Sequence, residues 1–418
     1  MIGKSPRGGR NSMESRDDIV LVSAVRTPFS KFDSPMKDIP SIKLGEMVIR
    51  EVMNRVGLQP EEIDEVNYGS CLPAEFALET DVPGRQATLL AGFPGESISL
   101  SLDRACCSSL TAMRLGIRGI KAGELKIVMA VGSENMPRCP HLAPGMRWAA
   151  RLGHLKLIDP LFYLGYDAMG FNTIAVDAGE VALEYGITRE MQDEWAMRSH
   201  KLAAKAYAEG KIKVGEELMP VEIPRKKGEP LVIDKDECIR ENTTMEALAK
   251  LKTVYGSPTI TAGNAPPISA GSSALIVMTR QEAEKRGLEP LATIVASVCA
   301  AAEPRYICTI PAESIEKALA HTGLAIDDMD LIEINEAFAA MPLVSTKILA
   351  QDNAGKWDKL KERTNVNGGA IALGHPVGSS AARITMTLAH ELKRRGGGYG
   401  AAAICGGLAQ GEAVILKV

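Results

Sequence analysis

Two adjacent cysteines, Cys106 and Cys107, follow a β-like run at residues 97–102 and precede a helical pattern at residues 110–121. A cysteine at the start of a helix lies close to the helix dipole and to free backbone N–H groups. Both lower the pKa of a thiol and favour the nucleophilic thiolate. Two buried, unreactive cysteines would explain the same residues equally well. The position therefore indicates a candidate nucleophile, and the rest of the chain must supply its partners.

Three other residues could be those partners. His375 lies in the glycine-rich stretch 367–378, Cys405 precedes two glycines, and Asn335 opens the segment Asn-Glu-Ala-Phe. Each has an ordinary structural explanation when it is taken alone. Together they have a chemical logic, because cysteine and histidine form a nucleophile–base pair and a second thiol can move a proton to and from carbon. An asparagine amide, with backbone N–H groups, can stabilise an oxyanion.

Composition limits the kinds of ligand. The chain has 418 residues, 45% hydrophobic and 24% charged, which is typical of a globular protein of two or three domains. A net charge of −4 gives no general attraction to nucleic acid or to an anionic membrane. A polyanionic ligand would need a local basic site. The run Arg225-Lys226-Lys227 could provide one, although a solvated turn explains it more simply.

The cysteine pattern and the N-terminus indicate the compartment. Eight cysteines without a C-x-x-C pair argue against a disulfide framework or a zinc ribbon, so we expect no metal and reduced thiols in the cytoplasm. No apolar run is long enough to span a bilayer. Residues 1–17 are polar and no apolar segment follows them, so we interpret them as a disordered extension.

Matched intervals in the two halves of the chain indicate an internal duplication. Gly57-Leu58 and Gly323-Leu324 each follow a helical pattern and each precede a short β-rich run. The intervals that follow are 49 residues from Gly57 to Cys106, 52 from Gly323 to His375, 27 from Cys106 to Ser133 and 30 from His375 to Cys405. Such spacing predicts two copies of one fold whose equivalent turns meet at a shared site.

Alternating strand and helix patterns predict an α/β protein with mostly parallel sheets. Between the two copies, the texture changes to Pro, Gly, Trp and many charges, with a helical pattern from Arg189 to Ala208. We interpret this region as an inserted domain. The predicted segments are an extension (1–17), an N-terminal half (18–137), an inserted loop domain (138–262), a return to the N-terminal half (263–288) and a C-terminal half (289–418).

The chain resembles the thiolase family over residues 18–418. Six stretches resemble the family's motifs and occur in the family's order. They are Asp103–Leu110, Gly132–Met136, Thr261–Ala265, Asn335–Ala339, Gly368–Gly378 and Cys405–Gly407. The resemblance implies two five-stranded α/β halves with a loop domain, assembled as a homodimer or homotetramer. It also implies acyl-coenzyme A and coenzyme A as substrates, with no covalently bound cofactor.

The resemblance further implies roles for the candidate residues. Cys106 would carry the acyl group as a thioester while 3-oxoacyl-coenzyme A is cleaved or formed. His375 would deprotonate it, and with Asn335 would then polarise the thioester oxygen through a bound water. Cys405 would exchange the proton on the α-carbon, and the backbone N–H groups of Cys106 and Gly407 would form a second oxyanion hole. The residues implied for coenzyme A and the acyl pocket are Arg240, Tyr255, Ala262, Pro266, Ile174, Ile307 and Phe338.

The chain departs from the family pattern at several positions outside the catalytic set. Asp103 and Ser109 replace the usual Asn and Gly, and Pro266 replaces a usual Ser. Thr173-Ile174-Ala175 stands where the family has His-Met-Gly, and Ile307-Cys308 where it has Met-Gly. The last two changes concern the acyl and pantetheine pocket. They lead us to expect an acyl group bulkier than acetoacetyl, unless Ile307 and Ile310 fill the space that is gained.

Two other functions must be weighed. A decarboxylating or synthase-type condensing enzyme of the same broad fold would not need the second cysteine after the last strand, so Cys405 favours a thiolase. An acyl-coenzyme A binding scaffold would be indicated by loss of Cys106 or His375, and both are present. The adjacent Cys107 could also be taken as the nucleophile. Alignment through Cys106 keeps Leu110 and Ala112 at the family's positions.

Overall fold

The computed structural model of the protein describes residues 15–148, 152–162 and 170–418. Its strands are β1 (Ile19–Arg26), β2 (Glu65–Gly69), β3 (Ile98–Leu102), β4 (Ile127–Asn135), β5 (Val221–Ile223), β6 (Leu231–Ile233), β7 (Ala270–Thr279), β8 (Ala292–Ala301), β9 (Leu331–Ile334), β10 (Tyr399–Gly406) and β11 (Gln410–Lys417). Its α-helices are α1 (Ser41–Asn54), α2 (Pro73–Phe76), α3 (Pro83–Leu90), α4 (Ser108–Lys121), α5 (Ile174–Glu184), α6 (Arg189–Ala208), α7 (Met245–Ala249), α8 (Arg280–Lys285), α9 (Ile310–Thr322), α10 (Ala340–Leu349), α11 (Ala354–Glu362), α12 (Ala370–Leu373) and α13 (Ser380–Arg394).

Nine strands form one mixed sheet in the order β3-β2-β4-β7-β1-β8-β11-β10-β9. In the N-terminal half, β2 and β4 are parallel and β4 is antiparallel to β7. In the C-terminal half, β9 and β10 are likewise parallel and β10 is antiparallel to β11. The two halves meet where β1 and β8 pair through Val20–Thr293 and Leu21–Ala292. The same arrangement thus repeats outward from the centre, which confirms the predicted duplicated α/β fold. The expectation of mostly parallel sheets is wrong, since five of the eight strand pairs in this sheet are antiparallel.

The two half-sheets differ at their outer edges. The N-terminal half ends in β3, which pairs along its whole length with β2. At the equivalent place in the C-terminal half, a single parallel bridge joins Ile332 of β9 to Thr364. The described C-terminal half therefore has four full strands, and one bridge stands in the position of the expected fifth strand.

The core is layered because side chains alternate between the faces of each strand. Leu21 of β1 packs in a buried cluster with α4, α13 and strands of both halves, whereas Val20 and Val22 face a second cluster with α1 and α3. The outer face of the C-terminal half packs against α9 and α10. Helices α4 and α13 are thus enclosed between the half-sheets, and their N-termini lie close to Cys106 and His375.

The region between the halves contains α5, α6, α7 and the hairpin β5–β6. Helix α6 has the bounds predicted from the sequence, and Thr188 caps it by accepting a hydrogen bond from Met191 N. A buried ion-pair network joins this region to β1, since Arg26 binds both Glu217 and Asp236. After this region, the chain re-enters the N-terminal half as β7, between β4 and β1.

The predicted N-terminal extension lies mostly outside the described residues, since residues 1–14 are not among them. Residues 15–17 are described, and Arg16 O accepts a hydrogen bond from Gln281 N at 2.9 Å. Among the residues that the structure describes, no helix combines the length and the apolar character needed to cross a bilayer.

Candidate active site

Cys106 lies in a tight turn between β3 and α4. Ala105 has a left-handed backbone (φ 49°), an uncommon conformation for a residue with a side chain. Two hydrogen bonds hold the turn: Ala105 N donates to Asp103 Oδ1 at 2.8 Å and Ser108 Oγ donates to Ala105 O at 2.7 Å. The turn leaves the Cys106 side chain partly exposed. Strain at such a position is typical of a functional turn.

Cys107 has a different environment from its neighbour. Its side chain is fully buried among the apolar residues around α4 and α13, and its thiol contacts Ile404 O at 3.7 Å. The Cys106 thiol instead lies 3.2 Å from His375 Nε2. Of the two cysteines, Cys106 thus has the base beside it.

Hydrogen bonds to His375 determine which ring nitrogen carries the proton. Its Nδ1 lies 2.6 Å from Ser380 Oγ, and that hydroxyl donates its own proton to Pro376 O at 2.9 Å. Ser380 can therefore only accept from Nδ1–H, which leaves the lone pair of Nε2 facing the Cys106 thiol. Burial, with the nearby charge of Arg383 as the second cause, lowers the pKa of His375 to about 3. The imidazole is neutral and ready to act as a base.

The pKa of Cys106 is raised well above the ordinary value of 9.0, which contradicts the lowering expected from the sequence. Burial is the largest cause, followed by the nearby Cys405 and the negative charges of Glu134 and Asp103. Helix α4 begins only at Ser108, two residues after Cys106, so its dipole is less well placed than the sequence suggested. The resting pair is therefore a neutral thiol beside a neutral imidazole.

Cys405 reaches the site from the end of β10. It is 1% exposed, and burial raises its pKa to about 12, with Cys308 as the next cause. The first glycine after it has a steric purpose at this point, because a Cβ on Gly406 would lie 2.8 Å from the Cys107 sulfur and 3.1 Å from Arg104 O. Gly406 thus lets the end of β10 approach the turn that carries Cys106. The adjoining Gly407 is also buried.

Asn335 follows β9 and is fully buried. Its backbone N–H donates to Ala403 O at 3.0 Å, which ties it to β10 two residues before Cys405. Its side-chain Oδ1 accepts a hydrogen bond from Arg383 at 3.3 Å, whereas its Nδ2 has no partner among the described residues. A buried donor without a partner is costly in a folded protein and indicates a functional position.

Two buried glutamates hold the segments that carry the candidate residues, although the sequence assigned these glutamates no role. Glu134 accepts hydrogen bonds from Cys71 N, Leu72 N and Gly378 N, and burial raises its pKa to about 7. Glu336 accepts from Ile371 N, and from Trp195, Ser199 and Asn365 side chains. Glu134 follows Ser133 and Glu336 follows Asn335, so each glutamate lies inside one of the six motifs. That position was the signal by which the sequence could have identified them.

The residues predicted for the acyl pocket fall near Cys405. Ile307 and Phe338 belong to the same buried cluster as Cys405, and the partly buried Ile174 packs against that cluster. On the other side, a small apolar group adjoins Cys106. This acyl-side cluster consists of Cys71, Leu72, Met136 and Val377, with Cys139, Leu161 and Ile268 packed against it. Apolar side chains therefore lie beside both candidate thiols, Cys106 and Cys405.

The residues predicted for coenzyme A lie at the surface. Arg240 and Ala262 are exposed, Pro266 is partly exposed, and Tyr255 is 59% exposed. Thr173 Oγ1 donates to Tyr255 O at 3.1 Å, which joins the segment before α5 to the loop that carries Tyr255. The basic run Arg225-Lys226-Lys227 is exposed in the connection of the β5–β6 hairpin, away from any ion pair among the described residues.

No cluster of three or more His, Cys, Asp or Glu side chains among the described residues could hold a metal ion. The chemistry that this arrangement supports uses a thiol, a neutral imidazole, a second thiol and an amide. A neutral Cys–His pair can attack an activated carbonyl, and the second thiol can protonate the carbon that leaves.

Comparison with known proteins gives consistent matches over nearly the whole chain. Residues 19–281 match the family described as "Thiolase, N-terminal domain", and residues 288–418 match "Thiolase, C-terminal domain". An acetyl-CoA acetyltransferase of Cupriavidus necator is 39% identical over 96% of this chain and 99% of its own length.

Two solved structures are also similar. The human mitochondrial 3-ketoacyl-CoA thiolase, whose structure is also known in complex with CoA, has a TM-score of 0.88 at 34% identity and covers 96% of this chain and 99% of its own. The acetyl-CoA acetyltransferase of Bacillus anthracis has a TM-score of 0.88 at 36% identity, over 96% of this chain and 98% of its own.

Proposed function

This chain belongs to the thiolase family, and we propose that it transfers an acyl group between the Cys106 thiol and coenzyme A, cleaving or forming 3-oxoacyl-coenzyme A. The observation that carries the proposal is the 3.2 Å contact between Cys106 Sγ and His375 Nε2. It is supported by a second buried thiol, Cys405, whose nearness is among the causes that raise the pKa of Cys106.

In the first half of thiolysis, Cys106 Sγ attacks the 3-oxo carbonyl carbon while its proton passes to His375 Nε2. The C2–C3 bond then breaks, leaving the acyl group on Cys106 as a thioester. The electron pair remains on the released acetyl-coenzyme A as an enolate. The Cys405 thiol gives its proton to C2 of that enolate, so acetyl-coenzyme A leaves as a neutral molecule.

In the second half, the Cys405 thiolate takes the proton of the coenzyme A thiol. The resulting coenzyme A thiolate attacks the acyl carbon, and Cys106 leaves as a thiolate that recovers its proton from His375. Both cysteines thus return to their starting state. Condensation is the same sequence in reverse.

The same residues supply hydrogen-bond donors for the negatively charged oxygen atoms that form during the reaction. Asn335 Nδ2 is a buried donor without a partner among the described residues, and His375 becomes a donor once it has accepted the proton of Cys106. We assign these two groups to the thioester oxygen of the enolate, on which they would act through a bound water. The backbone N–H groups of Cys106 and Gly407 are assigned to the oxyanion at the carbon attacked by Cys106.

The proposal is tested by incubating the protein with acetoacetyl-coenzyme A and coenzyme A and following the loss of the 3-oxo compound. Formation of two acetyl-coenzyme A molecules is expected. Cys106→Ala should abolish it, while Cys107→Ala should retain it with normal folding. A decarboxylating condensing enzyme would instead turn over a malonyl thioester. A binding scaffold would bind coenzyme A without turnover of either substrate.

We also propose that Arg240, Tyr255 and Ala262 contact coenzyme A. The support is that all three are exposed residues of the inserted region, where the acidic chain has a cationic side chain at Arg240. The exposed ring of Tyr255 can pack beside the pantetheine arm. Pro266, which follows the buried Asn264, would border the same arm.

A bulkier acyl group than acetoacetyl remains our proposal for the preferred substrate. It is supported by the acyl-side cluster next to Cys106, since each buried methylene stabilises binding by about 0.8 kcal/mol. The deeply buried Ile307 and Ile310 argue against the proposal, because their side chains fill part of the space that the changes at these positions would open. The measurement is kcat/KM for short, long and branched 3-oxoacyl-coenzyme A esters. A clear preference for acetoacetyl-coenzyme A would contradict the proposal.

Assembly as a homodimer or homotetramer is supported by the outer edge of the N-terminal half. Among the described residues, strand β3 pairs only with β2, and it presents Ile98 (58% exposed) and Leu100 (43% exposed) to solvent. An exposed apolar edge strand readily pairs with another copy. Light scattering should give two or four chains per particle. Leu100→Asp should lower that number, whereas Val214→Asp, an exposed apolar control, should not.

We place the enzyme in the cytoplasm. All eight cysteines are free, among them pairs of thiols near enough to influence each other at the active site. A reducing compartment keeps such thiols available for chemistry.

A further inference from the structure

Helix α13 contacts both residues that we assign to the enolate oxygen. Ser380, its first residue, accepts the hydrogen bond from His375 Nδ1. Arg383, three residues later, lies on the same face of the helix and donates to Asn335 Oδ1 at 3.3 Å. One turn of α13 is therefore connected to the imidazole and to the amide at the same time.

A guanidinium group has only N–H donors, so it can face only the oxygen end of an amide. With Oδ1 of Asn335 turned toward Arg383, the Nδ2 donors must point to the opposite side of the amide. Nδ2 has no partner among the described residues, although the whole side chain is buried. Rotation of the amide by half a turn would place Nδ2 against Arg383 and present an oxygen where a donor is required.

Arg383 is itself fixed in place. Its side chain is 1% exposed, and its Nη1 lies 3.3 Å from Glu333 Oε2. Glu333 stands two residues before Asn335, and side chains two positions apart along a strand point to the same face. The carboxylate and the amide therefore lie on the same side of the β9 segment. The two nitrogens of one guanidinium thus bridge Glu333 and Asn335, and the planar group can hold both at once.

We propose that Arg383 is a positioning residue that orients the Asn335 amide, so that Nδ2 rather than Oδ1 is presented to the enolate oxygen of the substrate. The inference rests on the proposed thiolase reaction. Arg383 does not touch the substrate in this account and acts only through Asn335. Loss of Arg383 should therefore affect the chemical step more than binding.

The test is a double-mutant cycle of Arg383→Gln and Asn335→Ala, measured as kcat and KM for thiolysis of acetoacetyl-coenzyme A. A glutamine can donate or accept, so it no longer selects the amide oxygen. Arg383→Gln should lower kcat by about 10- to 100-fold, as supporting residues commonly do, with KM changed less than about 3-fold. In the Asn335→Ala background, the same change should lower kcat by less than about 3-fold. Arg383→Lys, which again has donors only, should recover part of the loss.

A matched control is Arg363→Gln. Arg363 is a partly buried arginine of the same half that donates to Met329 O and Ile326 O. It should alter thermal stability while leaving kcat within about 2-fold. If Arg383→Gln does not fold, the nearly isosteric Glu333→Gln loosens the same guanidinium and replaces it in the cycle.

Equal losses from the arginine change in both backgrounds would overturn the proposal, because they would show a role independent of Asn335. An unchanged kcat in Arg383→Gln, with Asn335→Ala impaired, would overturn it as well. Failure of the proposed function has a different signature. The wild-type protein would then not cleave acetoacetyl-coenzyme A or longer 3-oxoacyl esters at all.

Discussion

The rate at which Cys106 is alkylated should depend steeply on pH, because its resting pair with His375 is neutral. Burial and nearby negative groups raise the pKa of the thiol above 9.0, and burial lowers the pKa of the imidazole to about 3. Taking 9.0 as a lower bound, moving the proton from sulfur to nitrogen costs about 8 kcal/mol before the charges attract each other.

The attraction between the resulting charges offsets only part of this cost. At the observed separation of 3.2 Å, it amounts to about 5 kcal/mol with an effective dielectric constant of about 20. About 3 kcal/mol remains, so the thiolate–imidazolium form should make up less than about 1% of the resting protein. The ion pair therefore forms mainly as the acyl carbon is attacked, when the charge on sulfur is lost to the new bond.

Iodoacetamide labelling measures this directly, with the modified peptide counted by mass spectrometry between pH 5 and 9. The rate constant at Cys106 should rise about tenfold per pH unit up to pH 8, as expected for a thiol with a raised pKa. The buried Cys107 in the same peptide, studied in Cys106→Ala, should be labelled far more slowly. A rate that is high and constant from pH 5 to 8 would refute the reasoning, since it is the signature of a resting ion pair.

Three further predictions follow from the site and its surroundings. Cys405→Ala should abolish α-proton exchange and lower turnover more than about 100-fold, while Cys106 still accepts an acyl group. Near-normal thiolysis would mean that another residue gives and takes the proton on the α-carbon. Arg240→Ala should raise KM for coenzyme A about tenfold, with little effect on acylation by small thioesters, whereas Arg225→Ala should change neither; equal loss with both kinds of substrate would indicate misfolding. The pKa of buried His200 is lowered to about 4, so its contribution to stability is present above pH 6.5 and is lost as pH falls toward 4. The melting temperature of His200→Gln should therefore drop less between pH 7 and pH 5 than that of the wild type. An equal drop would contradict this.

Much of the fold could be predicted because periodicity and spacing are local properties of the chain. The amphipathic run from Arg189 to Ala208 forms α6 with those bounds, and the matched intervals before Cys106 and His375 correspond to equivalent positions in the two halves. The single bridge at Thr364, which stands in place of a fifth strand in the C-terminal half, could not be predicted in the same way. Whether a short segment pairs fully or through one bridge depends on the partner strand, which the local pattern does not contain.

The site was predictable in its residue types but not in its electrostatics. Cys106 and His375 do come into contact, although they are 269 residues apart. The raised pKa of Cys106 depends on burial and on charges brought in by other segments, so the local helix pattern gave the wrong direction. For the same reason, the partnership of Arg383 with Asn335 requires knowing that α13 crosses β9.

The identity of the acyl carrier is the central claim, and a single labelling measurement tests it most directly. The protein is mixed with acetyl-coenzyme A, quenched in acid during turnover, digested, and the thioester is located by fragmentation of the peptide that contains Cys106 and Cys107. We predict one acetyl group on Cys106 and none on Cys107, with no acyl-enzyme in Cys106→Ala. An acetyl group on Cys107, or undiminished turnover in Cys106→Ala, would contradict the account.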